Sequence, residues 1–142
     1  MTPTSGSAGW AVDTSVAIAA LDESHDAHTQ CRSIAIQRRP ALAGHAAFET
    51  YSVLTRLPGA QRVDPEIVGD LMRRAFPTRC WLAASDQGAL LERLPELGLV
   101  GGTIHDALVG EASRLARRTL LTRDGRARRT YELLGVDYAM VD

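Results

Sequence analysis

Short apolar runs alternate with helix-forming segments along the 142 residues, and this predicts an α/β fold of three layers with a central parallel β-sheet. Three observations carry the prediction. The run Trp10-Ala11-Val12 ends at a carboxylate, Asp13, and gives way to the helix-friendly stretch Ser15 to Leu21, the pattern of a strand feeding a helix. Thr119-Leu120-Leu121-Thr122 repeats the pattern, with Asp124 just beyond it. The intervening helical segments are punctuated by Pro40, Pro58-Gly59, Gly101-Gly102 and Gly135.

Taken in order, the first strand ends at Asp13, and Thr14 or Ser15 is expected to cap the helix that follows. Asp22 to Asp26 is a polar break, after which a second helix runs from about Ala27 to Arg38 and stops before Pro40. Ala41-Leu42-Ala43-Gly44 reads as a short buried strand, and His45 to Leu57 as a helix ended by Pro58-Gly59. Asp64 as N-cap and Pro65 at the first helical position start a helix with Ile67, Val68, Leu71, Met72 and Ala75 on its apolar face. Arg79 to Ala83 resembles a third strand, with Trp81 in the core. Ser85 and Asp86 are candidate caps for a helix through Leu94, with Pro95 near its end. Gly101-Gly102-Thr103 opens a long helix from about Ile104 to Arg117. After the strand Thr119 to Thr122, Asp124 leads into a basic helix that Gly135 terminates, and Val136 to Val141 is the last strand.

A chain of this length with 45% hydrophobic residues buries one substantial core, so residues 9–142 are expected to form a single domain behind a frayed Thr/Ser/Gly-rich tail, residues 1–8. The net charge of −1 exerts no overall pull toward nucleic acid or membrane, so any electrostatic argument rests on where the charges lie. All 16 basic residues are arginine, which excludes chemistry that needs a lysine. Cys31 and Cys80 stand in no metal-binding or redox spacing and fit a reduced, cytoplasmic protein. No segment reads as a signal peptide or a membrane span.

Most acids fall on expected solvent faces or caps. Four do not. Asp13 and Asp124 each follow an apolar strand, Glu49 lies within the apolar helix Ala46 to Leu54, and Asp106 sits one turn into the helix opened by the glycine pair. Gly110 and Ser113 share the face of Asp106 and are expected to leave open space beside it. In a parallel sheet, acids after two strands and near two helix starts converge on one edge. Four carboxylates together repel one another in a low dielectric unless a cation is present, and hard oxygen donors suit Mg²⁺ or Mn²⁺. Metal-assisted attack on a phosphodiester follows. Singly, each acid also reads as a cap, a first-turn residue or an ion-pair partner.

Val12-Asp13-Thr14-Ser15, Phe48-Glu49-Thr50-Tyr51, Gly102-Thr103-Ile104-His105-Asp106-Ala107 and Leu121-Thr122-Arg123-Asp124, in that order, resemble the acidic signature of PIN-domain ribonucleases, and in particular the VapC-type toxins of bacterial toxin–antitoxin pairs. The resemblance spans the chain after Ala8. It implies a PIN domain over residues 9–142 and an acidic metal cluster of Asp13, Glu49, Asp106 and Asp124, supported by the hydroxyls of Thr14, Ser15 and Thr122. It also implies Mg²⁺ or Mn²⁺ dependence, endonucleolytic cleavage of RNA, a homodimer and inhibition by a VapB-like antitoxin. The alternative is a catalytically inactive PIN-like module that binds RNA or a protein.

Seven arginines lie between Arg114 and Arg129, with Asp124 the only acid among them. Of these, Arg117, Arg118, Arg123 and Arg126 are the expected RNA-binding residues, holding a phosphate backbone beside the acids; the competing reading has arginine stems covering apolar surface. His25 and His28 lack a third ligand for zinc and read as solvent-exposed. His105 reads as structural, with a second-shell or proton-shuttle role as the alternative. Aromatics make up only 5% of the chain, so no base-stacking platform is evident. A P-loop or dinucleotide-binding domain is excluded by the missing glycine motifs, and receiver-like phosphoaspartate chemistry by the missing lysine.

Overall fold

Each strand contributes only those few residues that a sheet covered on both faces can hold. In the computed structural model, which describes residues 9–142, Trp10–Val12 (β1) and Ala41–Ala43 (β2) are buried throughout. Arg79–Cys80 (β3) is half-buried, Thr119–Thr122 (β4) is again fully buried, and Tyr138–Met140 (β5) is half-buried. The expected tail, residues 1–8, lies outside the described residues. The five strands run in the order β3-β2-β1-β4-β5, and every pairing is parallel. Ala11 faces Ala41 on one side and Leu120 on the other. Central strands carry the buried side chains and the edges carry the half-exposed ones, as a helix-covered sheet requires.

The helices are Thr14–Leu21 (α1), His28–Arg38 (α2), Ala46–Thr55 (α3), Pro65–Ala75 (α4), Ala84–Leu97 (α5), Thr103–Leu115 (α6) and Arg128–Leu134 (α7). From β1 the chain moves outward through β2 to β3, then crosses to β4 and β5 on the other side of β1. With right-handed crossovers, opposite directions of travel put the two sets of helices on opposite faces, which makes three layers. The packing agrees: α1 lies against α2 and α3, α3 against α4, and α6 against α7. The reversal falls between β1 and β4. Connections diverge there, so a crevice opens at the carboxyl ends of these two strands, where ligands bind in open α/β sheets.

Several elements differ from their sequence expectation. The cap of α1 is Asp13 itself, whose extended backbone lets its carboxylate accept from the Val16 N–H; Thr14 and Ser15 are already helical. β3 ends at Cys80, because an edge strand has one neighbour to hold it, and Trp81 has left the core at 55% exposure. α5 begins after Ala83 with no side-chain cap, so Ser85 and Asp86 lie inside its first turn. Asp86 there favours the helix dipole. On α4, Val68 and Met72 are buried but Ile67 is exposed. His25 and His28 are half-buried; His25 accepts from the Ala27 N–H and His28 contacts the Ala19 carbonyl. Among the described residues, no helix is long and apolar enough to cross a membrane, and both cysteines are free thiols.

Candidate active site

Asp13 stands where β1 leaves the sheet, only 4% exposed. Its Oδ1 accepts from the Ser15 hydroxyl at 2.6 Å and the Val16 N–H at 3.3 Å, and its Oδ2 accepts from the Tyr131 hydroxyl at 2.9 Å. Burial pushes the carboxyl above its ordinary range, while the hydroxyls of Ser15, Thr122 and Tyr131 and the Val16 N–H favour the ionised form. Ser15 Oγ also accepts from the Arg123 N–H at 2.8 Å, and Thr122 Oγ1 from the Asp124 N–H at 3.0 Å. These two hydroxyls therefore tie the ends of β1 and β4 together around Asp13.

The other three acids arrive from separate elements. Glu49 lies in the first turn of α3, and its Oε1 accepts from the Thr14 hydroxyl at 3.3 Å. Asp124 follows β4 with extended backbone and caps a 3-10 turn at Gly125–Ala127, accepting from the Arg126 N–H at 2.9 Å. Asp106 lies in the first turn of α6. Burial first, then the charges of Asp124, Asp13 and Glu49, raise its carboxyl to about 6, opposed by His105. One carboxyl that feels three others places all four in a single electrostatic neighbourhood. Among the described residues, no three His, Cys, Asp or Glu side chains form a ready-made metal-binding group. The acids share the crevice without closing on one point. Their hard oxygen donors and uncompensated repulsion nevertheless fit a divalent cation.

Tyr131 has no counterpart in the sequence reading. Fully buried on α7, it fills the space expected to lie open beside Asp106: a Cβ at Gly110 would stand 2.9 Å from the Tyr131 ring and 3.1 Å from Val136. Gly110 is thus the notch that admits the ring, and Ser113 is committed to the Arg118 carbonyl at 3.1 Å. Burial, then the charges of Asp13 and Asp106, hold the phenol far above its ordinary range, so Tyr131 remains a donor to Asp13. The only sequence signal was a tyrosine in the buried register of a basic helix.

The arginine run divides between the two ends of the sheet. Arg118 donates to the Trp10 carbonyl at 3.1 Å, at the amino end of β1, and Arg117 precedes β4 on that same side. Arg118 is thereby held at the edge opposite the acids. Arg114 is bound to Glu111, a buried acid the sequence reading overlooked. Arg123 and Arg126 flank Asp124 at the carboxyl edge; the Arg126 side chain is 98% exposed, and its Nε stands 3.9 Å from Asp124.

Comparison with known proteins decides the family. The chain is 43% identical to ribonuclease VapC27 of Mycobacterium tuberculosis over 126 residues, 89% of this chain and 92% of that protein. The chain belongs to the VapC ribonucleases. Ribonuclease VapC40 of the same species is 40% identical over 132 residues, 92% of this chain and 98% of its own. No family model matches. The VapC fold is matched by the crystal structure of VapBC2 from Rickettsia felis bound to a DNA fragment from its promoter, with a TM-score of 0.66 at 14% identity, covering 94% of this chain and 98% of that one.

Proposed function

We propose that this VapC chain cleaves RNA endonucleolytically, with Mg²⁺ or Mn²⁺ held by Asp13, Asp106, Glu49 and Asp124, and acts as the toxin of a toxin–antitoxin pair. The observation that carries this reading is the convergence of the four acids, from β1, α3, α6 and β4, on the crevice where the sheet reverses direction. A bound divalent ion would supply Lewis-acid activation of water and neutralise charge at the phosphorus.

The chain's own residues hold the site in readiness. Ser15, Val16 and Tyr131 fix both oxygens of Asp13, and Thr14 orients Glu49. At Asp13 these donors oppose the effect of burial, which raises the carboxyl. Arg123 and Arg126 supply positive charge beside Asp124 for the substrate backbone. The family resemblance implies products with 5′-phosphate and 3′-hydroxyl ends. A VapB-like antitoxin as inhibitor is in keeping with the VapBC2 assembly of the structural neighbour, and a homodimer with the family. Free cysteines fit a cytoplasmic setting.

The test compares the wild-type chain and Asp13→Asn on total cellular RNA with Mn²⁺, Mg²⁺ or chelator. Asparagine keeps the N-cap of α1 while removing the charge, so the fold survives the substitution. Cleavage by wild type alone, abolished by chelator, is the expected result. Equal cleavage by both chains, or cleavage that survives the chelator, would sink the assignment. The binding-only alternative predicts RNA or antitoxin affinity with no cleavage under any condition.

A further inference from the structure

The carboxyl edge of the sheet continues past the acids. Trp81, the residue after β3, is 55% exposed, and Phe48 on α3 is 65% exposed. Their ring centroids lie 5.8 Å apart. His45 is 6.3 Å from Phe48 on the other side and stacks on His105 at 5.2 Å with 13° between the planes. The four rings form a row. Its inner end, His105, lies within electrostatic reach of the acids, acting on the Asp106 carboxyl. Its outer end borders a cavity of about 480 Å³ lined by Arg73, Pro77, Arg79 and Trp81. There the Arg79 Nε is buried with no hydrogen-bond partner among the described residues, a donor that costs free energy until an acceptor reaches it. Arg73 makes a long, exposed contact with Asp70 at 3.8 Å, which holds it weakly.

The exposed rings of Phe48 and Trp81, followed by one weakly held guanidinium and one with an unsatisfied Nε, call for a partner that offers planar groups and negative charge together. Single-stranded nucleic acid is that partner, because its bases stack on aromatic side chains while its phosphates accept from arginine. An apolar protein surface would leave Arg79 unsatisfied. A second copy docked through the same face would bury two cavities of like charge.

We propose that His105, His45, Phe48 and Trp81, together with Arg73 and Arg79, form a subsite for single-stranded RNA. Bases flanking the cleaved bond stack on Phe48 and Trp81, and a backbone phosphate enters the cavity to accept from Arg79. The proposal rests on RNA being the substrate of the acidic site. β3 lies two strands from β1, roughly 10 Å at the ordinary strand spacing, so the subsite reads bases close to the cut.

The experiment titrates a short single-stranded oligoribonucleotide into the full chain in the presence of chelator, following tryptophan emission and the anisotropy of labelled RNA. Trp81 is the exposed reporter, since Trp10 is only 8% exposed. Emission is expected to quench in step with binding, and a duplex of the same sequence to leave it unchanged. Trp81→Ala and Phe48→Ala should each weaken binding about tenfold, Trp81→Phe should retain most of it, and Arg79→Ala should lower the salt dependence by about one phosphate contact. Unchanged affinity in these variants, or no RNA binding by wild type, overturns the proposal. So does a Trp81→Ala chain that loses only self-association in sedimentation, which would give the face to a second copy. Cleavage is read separately with Mn²⁺: a wild-type chain that binds and quenches without cleaving keeps the subsite and removes the catalytic reading.

Discussion

The two ends of α6 carry acids in opposite circumstances. Glu111, 3% exposed, is clamped by Arg114 at 2.7 and 2.8 Å and by Arg93 at 3.1 Å. Asp106, five residues earlier on the same helix, feels three other carboxylates and is raised to about 6. The arginines follow the same division. Arg114 and Arg118 are bound within the chain at the amino edge of the sheet, whereas Arg126 at the carboxyl edge projects into solvent. Charge that the chain neutralises itself serves the fold, and charge left uncompensated in a crevice marks the place where a ligand must supply the balance.

Substituting the two acids separately gives the largest expected effects. Asp106→Asn should reduce metal-dependent RNA cleavage at least about a hundredfold while leaving the chain folded. Glu111→Ala should leave cleavage within a few-fold and lower stability by about 2 kcal/mol in thermal or urea unfolding. That is less than the roughly 3–5 kcal/mol of a fully buried broken pair, because the Arg93 and Arg114 side chains keep 37% and 35% of their surface in solvent. Activity lost with Glu111 and kept with Asp106 would reverse the assignment.

A subtler break concerns Tyr131. Tyr131→Phe removes one donor from Asp13 with no change in ring volume, and positioning groups of this kind affect activity by about 10–100-fold. The expected loss lies in kcat, with RNA affinity under chelation unchanged. Gly110→Ala should produce the same loss by displacing the ring, together with about 1–3 kcal/mol of destabilisation from overpacking. Full activity in both variants would reduce Tyr131 to a core residue.

Much of this arrangement was legible in the sequence because it is local. The strand Thr119–Thr122 is legible from its apolar run, and the placement of Asp13 and Asp124 just past strands is legible because a strand end is a pattern of nearby residues. Long-range placement was not legible. Tyr131 lies 118 positions from the carboxylate it holds, and nothing near it in the chain points to Asp13. Phe48 and Trp81 look isolated in a sequence of 5% aromatics, His45 and His105 lie 60 positions apart, and the order of strands assembles the four into a row. The position of Arg117 and Arg118 at the amino edge is hidden for the opposite reason: closeness in sequence to Asp124 conceals the length of β4, which separates the two edges.

The smallest expected effect separates the two ends of α6 by pH. The Asp106 carboxyl stands at about 6 in the folded chain against an ordinary value of 3.8, so between these values the folded state binds more protons than the unfolded one. Its contribution is fully present below the lower value and is lost as pH rises through the upper one. Burial raises the Asp13 carboxyl too, which acts in the same direction. Acid titration of other groups obscures this in the wild type alone, so the measurement is the difference in Tm between wild type and Asp106→Asn under chelation. That difference should be near zero at pH 4 and favour the variant by a few degrees at pH 7. A few degrees corresponds to about 1 kcal/mol for a chain of this size, taken low because Asp106 is only partly buried. Saturating Mn²⁺ at pH 7 should then stabilise wild type more than the variant, since an ion bound only by the folded state adds about 2.7 kcal/mol at a hundred times its Kd. A difference that stays constant across the pH range would mean that Asp106 is as well compensated as Glu111, and the contrast between the two ends of the helix would be lost.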